Sequence, residues 1–216
     1  MRPTTTVRVL LLFPALAIFA QAQVVLSNLG NPTMASAQVT TTNYLAQAFT
    51  TSSSSFEVTS VTLRMNGALN TAGNFFVQIT TGNTAPLDDL GSGGFAHTLT
   101  GTANPAANGT HTFLANNLFL QPDTTYWLRL GVSSGAGNYR WFFPSSATFE
   151  TDVWDIGTVA NSTNSGSTWT LQPSFNPYMF SISATAIPEP STYAALAGLG
   201  ALALALSRRR RVKSTD

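Results

Sequence analysis

Four stretches of the chain alternate apolar and polar side chains with a period of two. Val61, Leu63 and Met65 alternate with Thr62, Arg64 and Asn66, and Phe75, Val77 and Ile79 with Phe76, Gln78 and Thr80. Tyr126, Leu128, Leu130 and Val132 alternate with Trp127, Arg129 and Gly131, and Tyr178, Phe180, Ile182 and Ala184 with Met179, Ser181 and Ser183. Successive side chains of a strand point to opposite faces, so each stretch reads as a half-buried strand. Turn chemistry falls between them at Asn66-Gly67, Gly91 to Gly94, Asn108-Gly109, Pro122-Asp123 and Gly135 to Asn138. No helical period is sustained before Ser191, and no repeat of fixed length recurs. The pattern predicts an all-β protein whose body, residues 23–187, is a single β-sandwich of jelly-roll-like kind. That span is the size of one domain able to bury a core.

Both ends depart from the pattern. Arg2 and Arg8 flank the start of an apolar run from Val9 to Phe19, and Ala20-Gln21-Ala22 then sets small residues, Ala20 and Ala22, where a peptidase requires them. This is the order of a secretory signal peptide, residues 1–22, cut by signal peptidase before Gln23. The run is too short to span a bilayer, and Pro14 and the polar Gln21 and Gln23 argue against a retained helix. At the other end Pro188-Glu189-Pro190 bars regular structure and leaves Glu189 extended and accessible. Ala194 to Leu206 follow without a polar residue, then Ser207 and the cluster Arg208, Arg209, Arg210 and Arg211. A transmembrane helix is expected over about 191–207, roughly 25 Å long at 1.5 Å per residue and at the low edge of a span. The arginines stay cytoplasmic, which places the body outside.

Pro188-Glu189-Pro190, a short apolar helix and an arginine cluster, in that order, resemble the PEP-CTERM sorting signal, to which residues 188–216 are assigned. The resemblance implies a Gram-negative-type bacterium that makes exopolysaccharide. It implies transient anchoring in the inner membrane, cleavage of the tail by an exosortase, and dispatch of the body to the cell surface or extracellular matrix of a biofilm. Val212–Asp216 run on past the basic cluster where such tails often stop, but they lie beyond the stop-transfer charges. An ordinary anchor that is never cleaved is the alternative. In the body, the run Asn43 to Phe49, the strand Ser60–Leu63, the Pro122-Asp123-Thr124-Thr125-Tyr126-Trp127 core, Trp169 and Tyr178–Phe180 resemble choice-of-anchor domains, most closely the type labelled R. That resemblance implies fold and location, not chemistry.

Composition then narrows what the body does. Only 9% of the 216 residues are charged, against about 25% in a typical globular chain. The deficit argues against a cytosolic enzyme and against a nucleic-acid partner, which needs a basic face. Seven of the ten basic residues lie in the two end segments, so the precursor's +1 becomes three arginines against seven carboxylates in the body. Cysteine is absent, which excludes a thiol nucleophile, a Cys-bound metal and a disulfide framework. His97 and His111 read as polar strand residues rather than metal ligands, and with only two histidines a Ser-His-acid triad has few options. Asp88-Asp89 and the group Glu150, Asp152 and Asp155 read as solvated edge charges, with a calcium site or an acid/base pair as alternatives. The expectation is a protein that is not an enzyme, with no catalytic residue, metal or cofactor, in a structural or adhesive role. A carbohydrate-binding module is the alternative, because exposed aromatic rings stack on sugars. Most of Trp127, Trp141, Trp154 and Trp169 are expected in the core. Trp127 and Arg129, out of phase with Tyr126, Leu128 and Leu130, face away from it if that set faces the core, while Trp141 lies in an aromatic run too dense to assign a side; Trp127, Arg129 and Trp141 are the candidate glycan contacts.

Overall fold

The computed structural model describes residues 21–66, 73–82, 85–86, 96–101, 107–146, 148–149, 151–188, 197–204 and 206. Among them the chain forms β1 (Gln23–Ser27), β2 (Thr33–Val39), β3 (Tyr44–Thr50), β4 (Phe56–Asn66), β5 (Gly73–Thr81), β6 (Ala96–Thr98) and β7 (Thr100–Gly101). It continues with β8 (Gly109–Leu120), β9 (Thr125–Gly135), β10 (Tyr139–Pro144), β11 (Thr151–Asp152), β12 (Asp155–Ser162), β13 (Thr170–Gln172) and β14 (Phe180–Ala186). All the pairings are antiparallel and make two sheets. The first runs β11-β1-β14-β4-β10-β2, with β8 on the other flank of β4 and β7 beyond β8; the second runs β13-β12-β3-β9-β5-β6. The two sheets face each other as a β-sandwich.

The alternation predicted from sequence sets the inner faces. Val61, Leu63 and Met65 of β4, Val77 and Ile79 of β5, Leu128 and Leu130 of β9, and Phe180 and Ile182 of β14 all lie in one buried cluster between the sheets. Aromatic rings bridge the gap: Phe75 of the second sheet sits 4.8 Å from Tyr139 and 5.9 Å from Phe113 of the first. Offset and edge contacts of this kind add stabilisation beyond the area they bury. The turn between β8 and β9 follows from Pro122-Asp123, where Asp123 takes a positive φ of 47° and its N–H bonds to the carbonyl of Ser52, a conformation that Asp tolerates better than most residues.

Two buried amides hold the lead-in to β14, one of them from the opposite sheet. Gln47, on β3, donates to the carbonyls of Gly157 and Thr158, and its Oε1 accepts the backbone N–H of Tyr178 at 3.1 Å. Asn28, just after β1, donates to the Tyr178 carbonyl at 2.9 Å and accepts the Phe180 N–H at 2.8 Å. Both side chains are fully buried, so each must satisfy its polar atoms within the protein. They do so by holding the segment that leads into β14.

The two ends of the body leave the sandwich side by side. The first rung of β1 pairs Gln23 with Ala184 of β14, and β14 ends at Ala186, opposite Phe56 of β4. The Ile187 N–H makes one more bond, to Ser55 at 2.9 Å, before Pro188, which has no N–H to offer a ladder. Beyond it, residues 197–204 are helical, with Leu199 and Leu202 largely exposed. Among the described residues no helix is long and apolar enough to cross a membrane; residues 191–196, 205 and 207 of the expected span lie outside the description.

Candidate functional site

Two regions bear on function: the exit of β14 into the C-terminal segment, and the surfaces where aromatic and amide side chains meet solvent. At the exit, Pro188 directly follows the bond that the Ile187 N–H makes to the Ser55 carbonyl. Glu189, Pro190 and Arg208–Arg211 lie outside the described residues, as do Arg2, Arg8 and Ala20. Ala22 is exposed and immediately precedes β1, so a cut before Gln23 costs the sheet nothing.

The tryptophans do not form an exposed row. Trp127 does face away from the inter-sheet core, as its phase predicts, but it is only 1% exposed. Its ring packs on Ala46, Ala48 and Ala160 beside Trp169, and its Nε1–H donates to the Gly82 carbonyl at 2.7 Å. Trp141 is 0% exposed; its ring stacks on Tyr178 at 4.3 Å, and its Nε1–H donates to the Met179 carbonyl at 2.9 Å. Trp154 is buried against Phe49, with rings 5.4 Å apart and nearly parallel. The expectation of glycan contacts at Trp127 and Trp141 is therefore corrected: neither ring offers a face to a sugar. The out-of-phase position was read properly for Trp127, but the face it points to is covered.

Arg129 shares that covered face. Its guanidinium lies 5.2 Å from the Tyr44 ring, 5.3 Å from Phe76 and 5.8 Å from Trp169, a cage in which each ring face attracts the cation. Burial pushes its pKa below the ordinary arginine value, a shift that Tyr44 opposes. At 5% exposed, it too lacks the access a glycan contact needs.

The candidate chemistry of the remaining polar residues is dispersed. His97 pairs with Ile79 in the second sheet and His111 with Leu63 in the first, so the fold sets them on different layers. Asp155 is exposed at the start of β12, and Asp152 lies on β11 opposite Leu26. Glu150, Asp88 and Asp89 lie outside the described residues. Among the described residues no three His, Asp or Glu side chains gather as a metal would need.

What the sequence did not reveal is a cleft of about 230 Å³ at the open side of the sandwich, where β2 ends one sheet and β13 the other. Asn43, Asn161, Gln172, Phe175 and Tyr178 line it, with apolar wall from Leu45 and Val159. Three separate segments supply these residues, so no local motif could announce them. The one hint was an aromatic, Phe175, closing a Pro-Ser turn among polar neighbours.

Fold and ends together define a class: an all-β, two-sheet body followed at once by a C-terminal extension of the sorting type. Residues 186–211 match the family model of the PEP-CTERM protein-sorting motif. That motif implies an exported surface protein processed by an exosortase, associated transiently with a membrane before its release. No curated protein matches the chain.

Proposed function

We propose that the chain is a structural or adhesive protein, without catalytic activity, of the surface or extracellular matrix of a Gram-negative-type bacterium. Signal peptidase removes residues 1–22. A helix over about 191–207 then anchors the chain in the inner membrane, with Arg208–Arg211 on the cytoplasmic side. An exosortase cuts at Pro188-Glu189-Pro190, and the body, residues 23–187, joins the exopolysaccharide of the biofilm. The body is a choice-of-anchor sandwich of type R with jelly-roll connectivity.

The observation that supports this reading is the junction itself: the matched sorting motif begins at residue 186, the residue that closes the last strand of the sandwich. The test is expression with one tag in the body and another after Arg211, in a host that has the exosortase and in its exosortase-null derivative. A tail-less body is expected in the medium or matrix of the first strain only. Full-length protein confined to the membranes of both strains would show a plain anchor instead.

A further inference from the structure

We infer that the cleft between β2 and the β12–β13 edge binds one unit of a neutral sugar, an inference that rests on the exopolysaccharide association proposed above. Its volume, about 230 Å³, falls below the roughly 300–1,000 Å³ of pockets for drug-sized ligands, so it has room for one ring and not for a chain. Among the described residues that line it, none carries a charged side chain. A uronate or a phosphate would find no cation there, whereas hydroxyl groups need none.

The polar groups suit hydroxyls. Gln172 donates through Nε2 to Asn161 Oδ1 at 3.0 Å, which leaves Asn161 Nδ2 as a donor and Gln172 Oε1 as an acceptor. Asn43 donates through Nδ2 to the Gln38 carbonyl, leaving its own Oδ1 as a second acceptor. Among the described residues, nothing in the protein bonds to any of these three atoms. A sugar ring presents adjacent hydroxyls that each donate and accept, the complement of such a set.

The remaining wall fits the ring's C–H face. Phe175 is 46% exposed, and its ring is propped edge-on against Phe143 at 5.1 Å. The turn that carries it is closed by its N–H to the Gln172 carbonyl at 3.0 Å. The floor is fixed as well: Gln47 and Asn28 hold the Tyr178 backbone, and Trp141 holds its ring. Groups locked before binding lose little freedom on binding. Tyr178 precedes β14, while Ala186 ends it, so the cleft lies roughly 25 Å from the exit to the tail, at about 3.3 Å per strand residue. It remains open to the outside while the tail is still anchored.

The experiment is calorimetric titration of the purified full chain in detergent. The probes are glucose, galactose, mannose and N-acetylglucosamine, their short linear oligomers, and glucuronate and galacturonate as acidic controls. Saturable binding of a neutral sugar is expected at one per chain, with the acidic sugars weaker. Phe175→Ala and Gln172→Ala should each weaken it about tenfold, the upper end of what one neutral hydrogen bond or one ring contact supplies. Their thermal midpoints should stay near the parent's, and Phe175→Tyr should retain binding. Failure of every neutral sugar to bind, or binding that neither variant changes, overturns the inference. Co-sedimentation with the host's exopolysaccharide separates the two readings. Retention that both variants share removes the cleft and keeps the association. Cleft-dependent binding of free sugar without retention keeps the cleft and removes the association.

Discussion

The outer faces of the two sheets obey the same alternation and are filled in opposite ways. On the first sheet the outward positions meet solvent whatever their size, Leu114 and Phe119 of β8 included. Thr62 of β4 and Thr112 of β8 share a hydroxyl bond of 2.9 Å in the open, and Arg64 lies across the ring of Phe142 at 5.8 Å. On the second sheet the outward positions of β3, β9 and β12 are Ala46, Ala48, Gly131 and Ala160, and among these shallow residues lie Trp127 and Arg129, almost fully buried. A period of two therefore tells which side of a sheet a residue takes, not whether that side meets water. The volumes of its cross-strand neighbours decide the second question, because small residues leave a trough in which large ones lie flat.

The largest test of this contrast is Trp127→Ala. If the outer face of the second sheet is a true core, the loss should be about 3–5 kcal/mol, as large as for Trp141→Ala between the sheets. Chemical denaturation measures both, and a loss below about 1 kcal/mol for Trp127→Ala would return that face to the surface. Next comes a pair of glycines. A Cβ on Gly131 would press on the Phe76 ring and lie 2.8 Å from Tyr44 Cδ1, while one on Gly109, in the first sheet, would meet nothing within 4 Å. Gly131→Ala should cost about 1–3 kcal/mol through overpacking, and Gly109→Ala should stay within about 0.5 kcal/mol of the parent. Equal effects would erase the distinction between the faces.

Alkaline titration probes the interior that both sheets share. Burial raises the pKa of Tyr126, Tyr139 and Tyr178, all of which belong to the inter-sheet cluster. Below pH of about 10 these phenols are neutral in the folded and unfolded chain alike, and stability is at its full value. Above it the unfolded chain ionises first, and stability falls as pH rises through the raised folded values. Each phenol contributes at most about 1.4 kcal/mol per pH unit. Tyr178→Phe should therefore make the decline of the melting temperature between pH 10 and 11 shallower, and an unchanged slope would place the sensitive group elsewhere. The smallest effect is expected on the open face, where Thr112→Ala removes only the bond to Thr62 and should cost about 0.2–1 kcal/mol.

How much of this was legible in the chain depends on how local each feature is. The sorting motif is linear, with Pro188-Glu189-Pro190, an apolar run and Arg208–Arg211 in order, and it was read without a fold. The strands were legible because Val61, Leu63 and Met65, or Leu128 and Leu130, carry their phase within a few residues. The cover over Trp127 was not, because it depends on Ala46, Ala160 and Trp169 arriving from other parts of the chain. Trp141 sits in Tyr139-Arg140-Trp141-Phe142-Phe143, a run too aromatic to show a phase, and only the fold assigns it to Tyr178. The cleft was least legible of all, since Asn43, Asn161, Gln172 and Phe175 become neighbours only when the edges of two sheets meet.

The placement of β14 has a mechanical consequence. It lies between β1 and β4 and is bonded to both, and it is also the strand that continues into the tail. A body held through that tail and dragged by flow or by a bound polymer is pulled along the axis of β14. Antiparallel backbone bonds lie across that axis, so the rungs on both sides take the force in shear, together, instead of opening one after another like a zip. The strand that hands the chain to its sorting signal is the one the sheet grips from either side.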